Sequence, residues 1–285
     1  MMNTEHKLVE NACFQQYSSK ISRRTWCGLA FASASTIACP SRSSIALGFA
    51  EKDWLYFHYQ REPKALSEAI EKLRTLPERM AAFYRLKLTV KPAHVVIFAN
   101  RAAYLNHLDK TLPKAPRRTS LFVVRGGNPT ILAADGDSLK RDLLHESVHV
   151  INYANFGSEN LPLWLDEGTA EWFEADESQQ AMVHGEMIAT IMGDQRKALA
   201  MPLKLTSIER ITTTTKADAL SYAASWAWSR FLGDPATACH RIWLRYLADI
   251  QSGIVAGMLS HRLALAVPNY EELFLRSLSL KTLSK

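Results

Sequence analysis

The chain has 285 residues, of which 47% are hydrophobic and 22% are charged, so it carries enough apolar material for a large core. That composition excludes an intrinsically disordered chain and a fibrous repeat. The net charge is +6 at pH 7, but the basic residues are scattered and no nucleic-acid-binding motif accompanies them, so we expect no nucleic-acid partner. Cys239 is the single cysteine after residue 50, which excludes a disulfide framework there and predicts a buried thiol.

The first fifty residues have the character of an export signal. Arg23 and Arg24 precede a small, apolar run from Cys27 to Ala38, which is far shorter than the ~20 residues that a membrane-spanning helix needs. The paired arginines favour the twin-arginine route, and Cys39 offers an alternative as a lipid-attachment site. We therefore expect export to the periplasm or cell envelope without a stable membrane span. A disordered cytosolic tail is the alternative interpretation of residues 1–50.

Residues 51–285 are predicted to form one domain that begins with strands and continues with helices. Apolar residues that alternate, or recur at spacings of three and four, predict the early elements: a strand at Trp54–Tyr59, a helix or broken pair of helices at Pro63–Leu86, a strand at His94–Phe98 and a helix at Arg101–Asp109. Strands at Leu121–Arg125 and Thr130–Ala134 flank Gly126 and Gly127, which is typical of a hairpin. The chain from Leu161 onward has a helical pattern. The expected fold class is therefore α+β.

The strongest functional signal is the motif His145-Glu146-Ser147-Val148-His149. Residues four apart lie on one face of a helix, so His145 and His149 can direct both imidazoles at a single point. Two histidines and one carboxylate are a common ligand set for catalytic zinc, which keeps a fourth position for water. Glu146 is placed to act as the general base that takes a proton from that water. The motif therefore predicts a zinc-dependent hydrolase.

Two further carboxylates follow on the next predicted helix. Glu167 supplies the expected third zinc ligand. Glu171 lies one helical turn later, where it could accept a hydrogen bond from the ring nitrogen of His145 that zinc does not use. A surface helix with incidental charges is the alternative, but it does not explain the combined spacing of the histidines and the carboxylates.

These residues resemble the gluzincins, the thermolysin-like metallopeptidases, and in particular the bacterial peptidase MA-like families. The segment Leu161–Glu171 is similar to their P-x-W-L-x-E-G-x-A-E sequence, and Tyr222–Ala227 resembles the tyrosine-and-tryptophan helix that follows. The resemblance extends over about residues 53 to 280. It implies a zincin-like fold, with an N-terminal mixed-sheet lobe and the active-site helix followed by a helical C-terminal lobe. It also implies the same roles for His145, His149, Glu167, Glu146 and Glu171.

Two further expectations rest on that resemblance. Tyr222 would donate a hydrogen bond to the oxyanion of the tetrahedral intermediate, although an aromatic residue on an apolar helix is more often a core residue. The strand Thr130–Ala134 would be an exposed edge that pairs with an extended peptide.

His184, within the helical segment Ser178–Met192, is expected to face solvent, with proton donation to the leaving group as the alternative.

We expect an exported zinc metallopeptidase that cleaves peptide or protein substrates with water activated by Glu146. One alternative is a zinc hydrolase of another amide, such as a cell-wall crosslink, because the site chemistry is the same for any unactivated amide. The other alternative is a non-catalytic binding module that keeps a vestigial zinc site. The presence of all five motif residues argues against it.

Overall fold

The structure is a computed structural model, and it describes residues 44–46, 54–157, 161–175, 184–185, 188, 203–212 and 217–281. The predicted export signal over residues 1–50, with the lipid-attachment candidate Cys39, lies outside the described residues apart from 44–46. In the described part of the chain, none of the helices combines the length and apolar character required to span a membrane.

The chain divides into two compact units. The first comprises the residues up to Ser67 together with Lys91–Lys140, and it contains a mixed sheet. In chain order the strands are β1 (Ser44–Ala46), β2 (Leu55–Tyr59), β3 (Ala93–Phe98), β4 (Ser120–Arg125) and β5 (Asn128–Ala134). Their order across the sheet is β1-β2-β3-β5-β4. Strands β2, β3 and β5 are parallel, while β1 and β4 pair antiparallel at the two edges.

Alternating burial explains why these segments form strands. In β2, every second residue is buried, beginning with Leu55, which is the period of a pleated strand. Helix α2 (Arg101–Thr111) contributes Tyr104 and Leu108 to a core that also contains Leu132 of β5. The side chain of Asn100 caps this helix by accepting a hydrogen bond of 2.9 Å from the backbone nitrogen of Ala103. The sheet unit thus has a hydrophobic core of its own.

The predicted hairpin is confirmed, but the predicted edge strand is wrong. Gly126 and Gly127 have φ angles of 55° and 80°, which two-residue turns between antiparallel strands require. Strand β5 contains the segment Thr130–Ala134, and it pairs with β3 on one side and β4 on the other. Its backbone groups are therefore already used within the sheet, so it cannot accept an extended peptide. On this side of the sheet the edge strand is β4.

In the second unit, Glu68–Val90 with Arg141–Lys285, every regular element among the described residues is a helix. This confirms the expected α+β class and the helical pattern after Leu161. Pro77 lies inside the first helix without breaking it. In chain order the helices are α1 (Leu66–Tyr84), α3 (Leu139–Phe156), α4 (Leu163–Phe173), α5 (Leu205–Ile208), α6 (Ala219–Gly233), α7 (His240–Gln251), α8 (Leu259–Ala266) and α9 (Tyr270–Lys281).

Helices α4 and α6 pack closely because Gly168 has no side chain. A Cβ at this position would overlap the backbone oxygen of Ser225 and lie 2.5 Å from Ser229 Oγ. Further along α6, Trp228 stacks on Phe274 of α9 with ring centroids 3.8 Å apart. Aromatic packing of this kind holds α6 in the core of the helical unit. Cys239 is buried just before α7, as predicted.

Candidate metal centre

Helix α3 carries both motif histidines and the glutamate between them. Its apolar residues, including Leu143, Leu144 and Val148, are buried and fix the face that this helix presents to the core. The rings of His145 and His149 lie one turn apart, with centroids separated by 4.9 Å. Both imidazoles are buried, as is Glu146. The local spacing thus places two nitrogen donors and a carboxylate together in a site with little solvent.

Glu167 on α4 faces both histidines. Its Oε2 atom lies 3.5 Å from His145 Nε2 and 3.8 Å from His149 Nε2. Oε2 is buried and accepts no hydrogen bond from any residue that the structure describes. The three predicted ligands therefore direct one atom each at a common point, and these atoms all lie within 4.8 Å of one another.

The residues present fit a divalent metal ion. A buried carboxylate oxygen without a hydrogen-bond donor is costly, and a cation between it and two imidazole nitrogens would satisfy all three atoms. Two imidazole nitrogens and one carboxylate oxygen match the preferences of zinc. The side chains that would bind the ion are those of His145, His149 and Glu167, the same three that the sequence predicts.

The outer nitrogen of His145 binds a different carboxylate from the one expected. Its Nδ1 lies 2.9 Å from Glu174 Oε2, so Glu174 and not Glu171 is its hydrogen-bond partner. Glu174 follows directly after the end of α4, and Arg141 lies 3.9 Å from its other oxygen. A carboxylate at Nδ1 holds a histidine in the tautomer that leaves Nε2 for a metal.

Glu171 instead binds His184. The Oε2 atom of Glu171 lies 2.9 Å from His184 Nε2, and the ring of His184 packs 5.2 Å from the ring of Trp226. His184 is buried, so the expectation that it faces solvent is wrong. A neighbouring aromatic ring and a carboxylate on the imidazole account for its burial. Most of the predicted helix Ser178–Met192 lies outside the described residues.

The outer nitrogen of His149 leads into a second polar network. His149 Nδ1 lies 2.9 Å from Asp166 Oδ2, and Asn152 Nδ2 donates to Asp166 Oδ1 over 2.7 Å. Tyr84 then donates from its hydroxyl to Asn152 Oδ1 over 2.9 Å. The hydroxyl of Thr169 lies 3.1 Å from that of Tyr84 and 3.2 Å from Asn152 Nδ2. Hydrogen bonds thus connect Asp166, which lies against a candidate metal ligand, through Asn152 to Tyr84 of helix α1.

The carboxylates set the charge of both histidines in the absence of a metal. Burial acts to lower the pKa of His145, but Glu167 and Glu174 raise it well above its usual value. Burial likewise acts to lower the pKa of His149, but Asp166, followed by Glu167, raises it to about 9. Both shifts favour the protonated imidazole in the metal-free site, and a metal would have to displace that proton.

Tyr222 lies close to this centre. It lines, together with Glu167 and Ser225, a small cavity in the helical unit. Tyr222 is half-buried near the start of α6, which begins after the capping carboxylate of Asp218. The sequence-predicted catalytic and ligand residues thus all belong to one compact unit.

Four residues of this centre were not predicted from the sequence: Glu174, Asp166, Asn152 and Tyr84. A signal for Asp166 was available, since it directly precedes the candidate ligand Glu167 and a second carboxylate there can reach the other histidine. No family model matches the chain, and no curated protein matches it. The resemblance to the gluzincins therefore stays a prediction that rests on the motif residues.

Proposed function

We propose that this protein is a zinc-dependent peptidase of the gluzincin type. The observation that carries the proposal is the convergence of His145 Nε2, His149 Nε2 and Glu167 Oε2, with the carboxylate oxygen lacking a hydrogen-bond donor among the described residues. Buried Glu146 lies beside His145 on the same helix. A closed structural zinc site would use a fourth protein ligand, and the described cluster offers three.

The chain's own residues divide the work of hydrolysis. When bound, zinc would supply Lewis acidity, making water easier to deprotonate and the substrate carbonyl easier to attack. Glu146 accepts the proton of the attacking water on its carboxylate and then delivers it to the departing amine nitrogen. The hydroxyl of Tyr222 donates a hydrogen bond to the carbonyl oxygen as negative charge develops there.

The outer carboxylates support the ligands without touching substrate. Glu174 accepts the Nδ1 proton of His145, and the carboxylate of Asp166 lies 2.9 Å from Nδ1 of His149 and favours a proton there, so both Nε2 atoms keep their lone pairs for the metal. Because the carboxylates are themselves held by Arg141 and Asn152, the imidazoles are oriented before substrate arrives.

The test uses substitutions that act on different steps. Glu146→Gln keeps the three ligands and the size of the side chain, so zinc content should be unchanged while kcat for peptide cleavage falls about 10²- to 10⁴-fold. Glu167→Ala should lose zinc, as measured by elemental analysis after dialysis. Glu71→Gln, on the exposed surface of α1, is the matched control and should change neither the zinc content nor kcat for peptide cleavage.

Two results would overturn the proposal. One is a zinc-loaded wild-type protein that cleaves no member of a diverse peptide library. The other is a Glu146→Gln protein that cleaves peptides as fast as the wild type does.

A further inference from the structure

A second pair of histidines lies on one face of the sheet unit. His58 belongs to β2 and His94 to the neighbouring parallel strand β3. Tyr56 is the register partner of His94, and His58 follows Tyr56 by two residues, so all three side chains point to the same face of the sheet. The two histidines are 36 residues apart in the chain and become neighbours only through strand pairing. No short sequence motif could therefore reveal this pair.

The ring nitrogens of the two histidines meet directly. His58 Nε2 lies 3.0 Å from His94 Nδ1, and the ring centroids are 5.2 Å apart. The ring of Tyr56 stacks on that of His94 with centroids 5.5 Å apart, which helps to hold the His94 ring in place. Both histidines are only half-buried. An ion from solution can therefore reach the two nitrogens.

The distance between these nitrogens fits two ligands of one metal ion. Imidazole nitrogens bind zinc at about 2.0 to 2.1 Å, so two of them on one ion, at an angle of about 90° to 110°, lie about 2.8 to 3.4 Å apart. The separation of 3.0 Å between His58 Nε2 and His94 Nδ1 falls within that range. A rotation of each ring about χ2, which is a soft torsion in histidine, would turn both lone pairs toward a shared point. The two strands need not move.

The charge state of the pair also suits a metal. Burial lowers the pKa of both histidines, and the proximity of His58 lowers the pKa of His94 further. Both rings are therefore neutral near pH 7, and each has one nitrogen with a free lone pair and one with a proton. The proton that the two inner nitrogens share in the hydrogen bond would move to the outer nitrogen of its own ring when a metal binds.

We infer that His58 Nε2 and His94 Nδ1 form a second site for a divalent transition metal, which binds Cu²⁺ in preference to Zn²⁺ and keeps water in the remaining positions. Imidazole suits both ions, and divalent copper has the highest affinity in the first-row series for a given set of nitrogen ligands. Two protein ligands bind less tightly than three, so this ion should exchange more readily than the one at His145, His149 and Glu167. The inference does not depend on the proposed peptidase function.

The experiment measures Cu²⁺ binding by the full chain after it has been loaded with one equivalent of zinc. Wild type should bind one further Cu²⁺, with an electron paramagnetic resonance spectrum that shows coupling to two nitrogens. His58→Gln and His94→Gln should each weaken the binding of this ion by at least about 100-fold, since the loss of an outer partner alone commonly costs 10- to 100-fold. His261→Gln, at an exposed position of α8, is the matched control and should bind as the wild type does. Zinc content and circular dichroism of the same samples show whether each variant is folded.

A measurement on the wild type needs no substitution. Substoichiometric Cu²⁺ should broaden the nuclear magnetic resonance signals of the His58 and His94 rings before those of the His261 ring, because a paramagnetic ion affects the nearest nuclei most. The site is overturned if the His58 and His94 signals persist while Cu²⁺ is bound, or if both glutamine variants bind Cu²⁺ as tightly as the wild type. The contact between His58 and His94 would then be a hydrogen bond only. Neither result bears on the zinc centre, whose ligands lie on α3 and α4.

Discussion

Asn152 Nδ2 donates a hydrogen bond of 2.7 Å to Asp166 Oδ1, which ties the carboxylate beside His149 back to the helix that carries His149. Tyr84 fixes Asn152 in turn by donating to its carbonyl oxygen. The orientation of His149 thus depends on contacts that extend through three further residues, Asp166, Asn152 and Tyr84. Residues in this outer position commonly change metal affinity when they are removed.

Asn152→Ala should weaken zinc binding. It removes the donor to Asp166, so the carboxylate can rotate away from His149, and zinc affinity should fall about 10- to 100-fold. Competition with a chromophoric chelator measures this. Asn155→Ala is the matched control, because Asn155 lies on the same helix but binds the backbone of Thr89 instead of the site. Equal zinc affinities for the two variants would show that the network does not position His149.

Glu174→Ala should lower zinc affinity more than Glu171→Ala does. Glu174 accepts from His145, whereas Glu171 binds His184. We expect a loss of about 10- to 100-fold for Glu174→Ala and a smaller loss for Glu171→Ala. Glu174→Gln keeps an oxygen that can accept from Nδ1, so it should retain part of the affinity. The reverse order of the two alanine variants would return Glu171 to the partner role that the sequence suggested.

Zinc binding should release protons and strengthen as pH rises. The pKa of His149 is raised to about 9 because Asp166 and Glu167 outweigh the effect of burial, and the pKa of His145 is raised as well. At pH 7 the metal must therefore displace protons from both rings. Calorimetric titrations in two buffers with different ionisation enthalpies give the number of protons released, and a value of zero at pH 7 would contradict the assignment.

The stability of the metal-free protein should fall as pH rises, whereas its affinity for zinc should increase. A histidine whose pKa is raised by folding stabilises the native state below its unfolded pKa, about 6.5, and that contribution disappears as pH rises through the folded value. Because the folded pKa of His149 is about 9, metal-free protein should lose stability between about pH 6.5 and 9. Urea unfolding of the metal-free protein at several pH values measures this. His149→Gln, which cannot carry the proton, should lose this part of the pH dependence.

Tyr222→Phe should reduce catalysis without loss of zinc. The variant keeps the aromatic ring that lines the cavity with Glu167 and removes only the hydroxyl. Loss of one donor to a developing oxyanion lowers kcat by about 10²- to 10³-fold while KM changes little. Steady-state kinetics, with zinc content measured on the same samples, test this. An unchanged kcat would make Tyr222 a packing residue.

Local features of the fold and the site were predictable from the sequence. The spacing of His145 and His149 depends only on helix geometry, and the hairpin depends on Gly126 and Gly127 at its turn. Each is decided by residues close together in the chain. The structure accordingly has both features where the sequence places them.

Features that depend on distant residues were not predictable in the same way. The resemblance to the gluzincins led us to expect strand β5 at an edge, but its second neighbour β3 comes from about thirty residues earlier in the chain, and the sequence gives no local signal for that pairing. The choice between Glu171 and Glu174 as partner of His145 depends on how α4 is rotated about its axis and where it ends. Both glutamates have suitable chemistry, and only the packing of α4 distinguishes them.

The close approach of α4 to α6 at Gly168 bears on how this sequence can change over evolutionary time. Gly168 is required by volume, since any side chain would meet the backbone of Ser225, and that requirement exists whether or not the protein has a reaction to perform. Glu146 is different, because in our proposal only turnover requires it. A lineage that abandoned hydrolysis but kept the fold would therefore drift first at Glu146 and retain the glycine. In a distant relative, a glutamate at position 146 would therefore indicate that hydrolysis is kept. A glycine at position 168 would indicate only that the helix packing is kept.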